Sequence, residues 1–188
     1  MGDKGYAVVG LMLVAAALIL TAALASVFSY YPVTLTLQAT PPPVMFEEGS
    51  NAGQADLSGT ITVSIGANQT SLEVTLHPTY QTTYYKDVAR LTNTDTTSSY
   101  NVWIRVNTAM ALPAGSTAQM ILTDSGGAAL LTVDLTTTGT SGPVTLNAGA
   151  SLYLDFKFTI PEGTLLASAQ GVTADVEAIY TPSAETPP

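Results

Sequence analysis

Apolar and polar residues alternate along most of the chain after residue 43, and this pattern predicts β-strands. In the clearest segment, Leu152 to Ile160, every second side chain is apolar. A period of two is typical of a strand that buries one face. The same pattern predicts eight further strands, over residues 57–66, 72–76, 88–93, 100–106, 118–123, 129–135, 144–146 and 172–180.

Turn residues separate these segments at intervals of roughly 8 to 14 residues, and no helical periodicity lies between them. The string Ser125-Gly126-Gly127, for example, predicts a hairpin between two of the strands. We therefore expect an all-β fold over residues 44–181, a single antiparallel β-sandwich or jelly roll. A domain of about 140 residues can be stable without disulfide bonds. A polar, proline-rich tail, residues 182–188, follows it.

The N-terminus differs from the rest of the chain, because residues 6–28 form an almost unbroken apolar run. As a helix, this run would span about 35 Å, which is enough to cross a bilayer. Residues 1–25 are therefore predicted to be a hydrophobic leader helix, which belongs to targeting and not to the folded domain.

Three interpretations of the leader stay open. A signal peptide would be cut after the small residues Ala23 and Ala25, which leaves Ser26 as the first residue. A type IV-pilin-like leader would be cut after Gly5, so that Tyr6 begins the mature chain and the helix is retained. An uncleaved membrane anchor is the third interpretation.

Residues 26–43 join the leader to the domain and contain one more alternating segment. This segment comprises Val33, Thr34, Leu35, Thr36, Leu37, Gln38, Ala39 and Thr40. The triproline Pro41-Pro42-Pro43 follows it and favours a stiff, extended spacer. A strand held away from its own domain is suited to completing the sheet of a neighbouring copy, and repetition of that contact yields a filament. The alternative is that residues 33–40 form the first strand of their own sandwich.

Composition excludes several classes of protein. Charged residues make up 10% of the chain, with 14 acidic and 5 basic groups, and the net charge is −9. So few cations cannot form a nucleic-acid-binding surface. The chain has no Cys and one His, which excludes disulfide frameworks and thiolate metal sites and leaves little for His-based catalysis. We therefore expect no enzyme activity, no cofactor and no bound metal.

Few other residues are candidates for a site. Asn68-Gln69-Thr70 is an N-glycosylation sequon in a predicted turn, so Asn68 is the acceptor if the protein is glycosylated. His77 ends a predicted strand and is expected to be a surface or capping residue. Glu47-Glu48 is expected to be a pair of solvated loop acids. Asp124 and Asp134 flank the predicted hairpin and could share a cation, although the sequence lacks the D-x-D-x-D-G loop that is typical of calcium sites.

Several segments together carry a resemblance to a known family. They are the leader with the extended strand behind it, PPPVMFEEGSNAG (41–53), TTYYKDVARLTNTDTTSSYNVWIRV (82–106), LNAGASLYLDFKFTIPEGT (146–164) and VTADVEAIYT (172–181). In their order they resemble TasA/camelysin-like secreted fibre subunits, and in particular the archaeal bundling pilins. The resemblance implies a jelly-roll subunit that polymerises outside the cell by donor-strand exchange, in pili that bundle cells into a biofilm. By this likeness, residues 33–40 are the donor strand.

The sequence thus predicts a structural protein of the cell surface or extracellular space. We expect a homopolymeric filament with lateral filament–filament contacts, no nucleic-acid partner, and membrane contact only through the leader. Because acidic filaments repel each other, bundling is expected to depend on pH or cations. Two alternatives stay open: a type IV-pilin-like subunit with a retained helix, and a membrane-anchored or secreted binding and adhesion module.

Overall fold

The computed structural model describes residues 11–13 and 29–188. The chain divides into two units, Met1–Thr40 and Pro41–Pro188. In the first unit, Leu11 to Leu13 are helical, and residues 29–40 have no regular secondary structure. The predicted cleavage residues Ala23, Ala25 and Ser26 lie outside the described residues. The leader helix and its cleavage therefore stay predictions.

The second unit is almost entirely β-structure, in ten strands. These are β1 (Val44–Glu48), β2 (Thr62–Ile65), β3 (Leu72–Thr75), β4 (Gln81–Asn93), β5 (Tyr100–Thr108), β6 (Thr117–Thr123), β7 (Ala129–Asp134), β8 (Gly139–Leu146), β9 (Ser151–Ile160) and β10 (Asp175–Thr181). A short 3-10 helix, Leu166–Ala169, interrupts the long connection between the last two strands.

The strands form three antiparallel sheets. A five-stranded sheet has the order β1-β4-β9-β6-β7, a three-stranded sheet has the order β10-β5-β8, and β2 and β3 form a separate hairpin. From β4 onward the chain passes repeatedly between the two larger sheets, because β4, β6, β7 and β9 belong to one and β5, β8 and β10 to the other. Side chains from both sheets meet in one hydrophobic core. The structure therefore confirms the predicted all-β fold, in which antiparallel sheets pack as a sandwich.

The core contains the apolar faces that alternation predicted. Leu152, Leu154, Phe156 and Phe158 of β9 are buried in it, and so are Val102, Ile104 and Val106 of β5. The half-buried side chains of the β2–β3 hairpin and of β10 pack against the same core. One face of the hairpin and one face of β10 therefore take part in the sandwich, although neither element is fully enclosed.

Several strand boundaries differ from the sequence-based predictions, and the differences have local causes. β1 was not predicted, because Val44–Glu48 has no clean alternation. β4 begins seven residues earlier than expected, and its pairing with β9 is interrupted by a bulge between Tyr85 and Ala89 that breaks the period. Residues 57–61 form a loop and not the start of a strand, with a single bridge between Ala55 and Thr60.

Candidate functional site

The segment predicted as a donor strand exposes its apolar side chains. Val33 is 89% exposed, Leu35 80% and Leu37 85%. None of the sheets includes residues 33–40. Since apolar side chains at alternating positions gain free energy when they are covered, this segment is a candidate interface.

An added strand needs a sheet edge with free backbone groups, and the edge at β1 is partly closed. The amide of Phe46, on the side of β1 that faces away from β4, donates a hydrogen bond to the Gln69 carbonyl at 2.8 Å. Gln69 lies in the turn between β2 and β3 and has a φ of 57°. The hairpin turn therefore occupies the position that an incoming strand would need.

The edges at β7 and β8 are also poorly suited to pairing. The two strands are neighbours across the two sheets and are joined by only four residues, 135–138. β8 contains Pro143, which has no amide hydrogen to donate, and its register with β5 shifts between Val102 and Ile104. Short connections and an interrupted ladder protect these edges.

β10 presents the most regular edge of the larger sheets. It pairs with β5 on one side, in continuous register from Val176 to Thr181. Its side chains Val176 and Ala178 pack against the core and are only half-buried. Sequence reasoning predicted the strand but had no signal for its place at the edge, because edge position depends on topology.

The C-terminal tail turns back over the opposite face of the three-stranded sheet. The Asn101 side-chain amide donates to the Ser183 carbonyl at 2.9 Å, and the Arg105 guanidinium donates to the Pro188 carbonyl. Asn101, Trp103 and Arg105 lie on one face of β5, because they occupy every second position of the strand. The tail therefore runs along the face of β5 that carries Trp103, a residue that is only 3% exposed although it lies outside the central core.

The two ends of the sandwich differ in their loops. We define the proximal end as Pro43 with the turns 94–99 and 147–149. Here the Pro43 carbonyl accepts hydrogen bonds from the Thr94 amide at 2.8 Å and from its hydroxyl at 3.0 Å. Because residues 29–40 precede Pro41, the N-terminal segment joins the domain at this end.

Buried Asn93 holds the proximal end together. Its Nδ2 donates to the carbonyls of Ser98 at 2.8 Å and Asn147 at 3.0 Å, so that both turns are tied to β4. Asp95 accepts hydrogen bonds from the hydroxyl and amide of Thr97 and from the amide of Ser98. These bonds, led by the Thr97 hydroxyl, hold the pKa of Asp95 well below its usual range.

We define the distal end as the loops 54–60, 77–80 and 161–171. Asp56 is its centre: one of its oxygens accepts from the His77 amide at 2.8 Å and contacts the His77 Nδ1 at 3.0 Å. The other accepts from the Leu57 amide at 2.6 Å and the Tyr85 hydroxyl at 3.0 Å. Burial alone would raise the pKa of Asp56, but these hydrogen bonds outweigh it and lower the pKa.

His77 is thus half of a structural pair and not a free surface residue. Its ring approaches Gly59 so closely that a Cβ at that position would lie 3.0 Å from the imidazole. The arrangement fixes loop 54–60 against β4. The sequence offered no signal for it, because Asp56 and His77 are 21 residues apart and their pairing depends on the turn between them.

A second polar network lies at the β4 bulge. Asp155 is buried and accepts from the Tyr84 hydroxyl at 2.8 Å and the Asp87 amide at 2.7 Å. Asp87 in turn accepts two hydrogen bonds from Arg90, at 2.8 and 2.6 Å, and one from the Ser50 amide at 3.1 Å. Arg90 lowers the pKa of Asp87 to about 2, whereas burial and Asp155 raise the pKa of Tyr84 to about 12. Every carboxylate here has a structural partner.

The remaining candidates are separated from each other. Asn68 is exposed in the β2–β3 turn, which leaves its side chain accessible. Glu47 and Glu48 lie in β1, not in a loop, so adjacent side chains point to opposite faces of the sheet. Asp134 pairs with Gln119, whereas Asp124 lies five residues further along the hairpin, about 17 Å away. Asp124 and Asp134 therefore cannot share a cation.

The described residues contain neither a candidate metal site nor a helix that could span a membrane. In residues 11–13 and 29–188, no group of three or more His, Asp and Glu side chains is placed to hold a metal ion. No helix in the same residues is long and apolar enough to span a membrane. No protein-family model matches the chain, and no curated protein matches it significantly. The resemblance to TasA/camelysin-like fibre subunits therefore stays a prediction from the sequence.

Proposed function

We propose that the chain is the structural subunit of an extracellular filament, a bundling pilus or biofilm fibre, which polymerises by donation of residues 33–40 to the next copy. The observation that carries the proposal is the exposure of Val33, Leu35 and Leu37 at alternating positions. In an added strand these side chains would all point to one face of the acceptor sheet, while Thr34 and Thr36 would face solvent.

The acceptor edge in this proposal is β10. Its seven residues match the eight of the donor segment in length, and the other edges of the two larger sheets are closed or interrupted. Val176 and Ala178 are half-buried over the core, so the apolar side chains of a donor would extend a core that is already present. Backbone hydrogen bonds would supply affinity, and the apolar contacts would fix the register.

The direction of the chain supports head-to-tail assembly. β10 runs from the distal to the proximal end, because Asp175 pairs with Thr108 and Thr181 with Asn101. A donor strand that enters the accepting copy at that copy's distal end would place residue 40 at the distal end and residue 33 deeper in the accepting domain. It would then lie antiparallel to β10, as do all strand pairs of the domain.

We also propose that the sandwich is a jelly roll. This assignment is supported by the repeated passage of the chain between the two larger sheets and by the non-sequential neighbours β4, β9 and β6. Donation of a strand to β10 would add a fourth strand to the smaller sheet. The difference in width between the two sheets would then decrease.

Deletion of residues 33–40 tests the proposal directly. We expect the shortened protein to remain folded, because its core lies in residues 41–188, and to stay monomeric in sedimentation. It should then bind a synthetic peptide of sequence VTLTLQAT. A matched control peptide, with Val33, Leu35 and Leu37 replaced by Ser, should not bind. Polymerisation of the deleted chain would refute strand donation.

Mass spectrometry of the native N-terminus separates the alternatives. A mature chain that begins at Ser26 favours a secreted donor-strand subunit. A start at Tyr6 would instead indicate a type IV-pilin-like subunit with its helix retained, and an intact Met1 would indicate a membrane-anchored binding or adhesion module.

A further inference from the structure

We propose that the distal end of each domain is a docking surface for the proximal end of the next copy. The surface, here the distal patch, consists of Leu57, Tyr80 and Leu165. This inference rests on the proposed strand donation and adds to it a second contact, between the domains themselves.

The distal patch is apolar although it lies at the surface. Leu57 is 64% exposed and Leu165 70%, and the ring of Tyr80 is partly exposed as well. Single exposed leucines are common on protein surfaces. Here three large apolar side chains are exposed in neighbouring loops at one end of the domain, and none of them belongs to the hydrophobic core.

Hydrogen bonds hold the three loops of the patch next to each other. The Tyr80 hydroxyl donates to the Thr164 carbonyl at 2.7 Å, which places Tyr80 beside Leu165. Leu57 follows Asp56, whose carboxylate binds His77 three residues before Tyr80. The patch is therefore presented by anchored loops, so its ordering costs little on binding.

The length of the spacer determines what reaches this patch. Only Pro41, Pro42 and Pro43 separate the donor segment from β1, and the four steps from Thr40 to Val44 span about 12 Å in polyproline II geometry. If residue 40 pairs at the distal end of β10, Val44 of the donating copy must follow within that distance. Its triproline and its turn 94–99 are then brought against the distal patch of the accepting copy.

Charge also favours an apolar contact at this position. The net charge of −9 makes any two copies repel each other, and the 5 basic residues offer few opposite charges. Leucine and tyrosine side chains that cover proline rings would instead gain free energy by removal of apolar surface from water.

Cross-linking in the full-length chain tests the contact, since the protein has no Cys of its own. Filaments would be assembled from an equal mixture of chains carrying Leu165→Cys and chains carrying Pro41→Cys, and treated with a short bismaleimide. We expect covalent dimers between the two kinds of chain. The matched control replaces Leu165→Cys with Leu130→Cys, an exposed position of β7 that lies outside the distal loops, and this pair should give no covalent dimers.

Assembly measurements complete the test. The double variant Leu57→Ser/Leu165→Ser should raise the concentration needed for filament growth by about 10-fold or more, because it removes two covered leucines. Leu130→Ser should change it by less than about 2-fold. Binding of the VTLTLQAT peptide to the deleted chain is expected to be unchanged by the double variant.

The outcomes distinguish this inference from the proposed function. Filaments that form without cross-links at Leu165, and that tolerate the double variant, would overturn the distal patch but leave strand donation intact. Leu165→Cys chains that cross-link to each other would indicate a two-fold contact between distal ends, which also contradicts the inference. If the unmodified chain forms no filaments and the deleted chain binds no peptide, both proposals fail.

Discussion

Two segments of this protein carry the same alternating pattern and have opposite surroundings. In β9, Leu152, Leu154, Phe156 and Phe158 are buried; the last three have partners in both β4 and β6, and Leu152 pairs with Leu91 of β4. In residues 33–40, Val33, Leu35 and Leu37 alternate just as regularly and are exposed. Alternation therefore indicates that a segment is able to form a strand, but it does not specify the sheet that the segment joins.

The polar positions of the two segments differ as well. The alternate positions of β9 include Asp155 and Lys157, and Asp155 binds Tyr84 and the backbone of the β4 bulge. Residues 29–40 contain no charged side chain. A segment without charges fits any backbone edge of suitable length, whereas β9 is tied to one place by specific polar partners.

The largest expected effect contrasts a leucine of each segment in the unassembled protein. Leu154→Ala should lower the free energy of unfolding by about 3 kcal/mol, because it leaves a cavity in the core. Leu35→Ala should change it by less than about 0.5 kcal/mol. Urea unfolding followed by Trp103 fluorescence measures both. Similar losses for the two variants would mean that residues 33–40 pack within their own domain.

The second effect concerns assembly. If Leu35 is covered by an acceptor, Leu35→Ala should weaken subunit association by about 2 kcal/mol, or roughly 30-fold in the concentration needed for filament growth. Thr36→Ala, on the opposite face of the donor, is the matched control and should have little effect. Equal effects of the two substitutions would contradict a strand that buries one face.

The sequence predicted the fold class and most strands, because the alternation of β5, β6, β7 and β9 is regular. It did not predict the bulge in β4, where Asp87 adopts a φ of 42° and three residues leave the register. It also did not predict β1, whose place is determined by pairing with β4 and not by its own pattern.

The candidate site was only partly accessible to sequence reasoning. Residues 33–40 are a candidate because of their alternation and the triproline behind them. The edge at β10, the anchored loops around Asp56 and the tail over Trp103 depend on contacts between residues that are far apart in sequence. A single sequence without the fold gives no measure of such contacts.

The third effect concerns the C-terminal tail, residues 182–188, which has no alternation of apolar and polar side chains. Removal of residues 182–188 should uncover Trp103 and shift its fluorescence emission to longer wavelength, with a loss of about 1–2 kcal/mol in the free energy of unfolding. Filament growth should continue, because the tail lies on the face of β5 that is opposite to the core. An unchanged emission spectrum would show that the tail does not cover the indole in solution.

The smallest expected effect is a difference in pH dependence between the stability of the domain and the binding of residues 33–40. The pKa of Asp87 is lowered from 3.8 to about 2 by Arg90, so this carboxylate stabilises the folded domain above pH 3.8, and the contribution is lost as the pH falls toward 2. Asp87→Asn retains a side chain that tolerates the positive φ and should cost about 1 kcal/mol at pH 7.

The loss of stability on acidification should then be smaller in Asp87→Asn than in the unmodified chain, as measured by urea unfolding at several pH values between 7 and 2. Parallel curves for the two proteins would show that Asp87 does not contribute to acid sensitivity. Residues 33–40 have no charged side chain, so binding of a VTLTLQAT peptide with blocked termini should remain constant with pH for as long as the domain stays folded. A binding affinity that changed with pH while the domain remained folded would contradict this expectation.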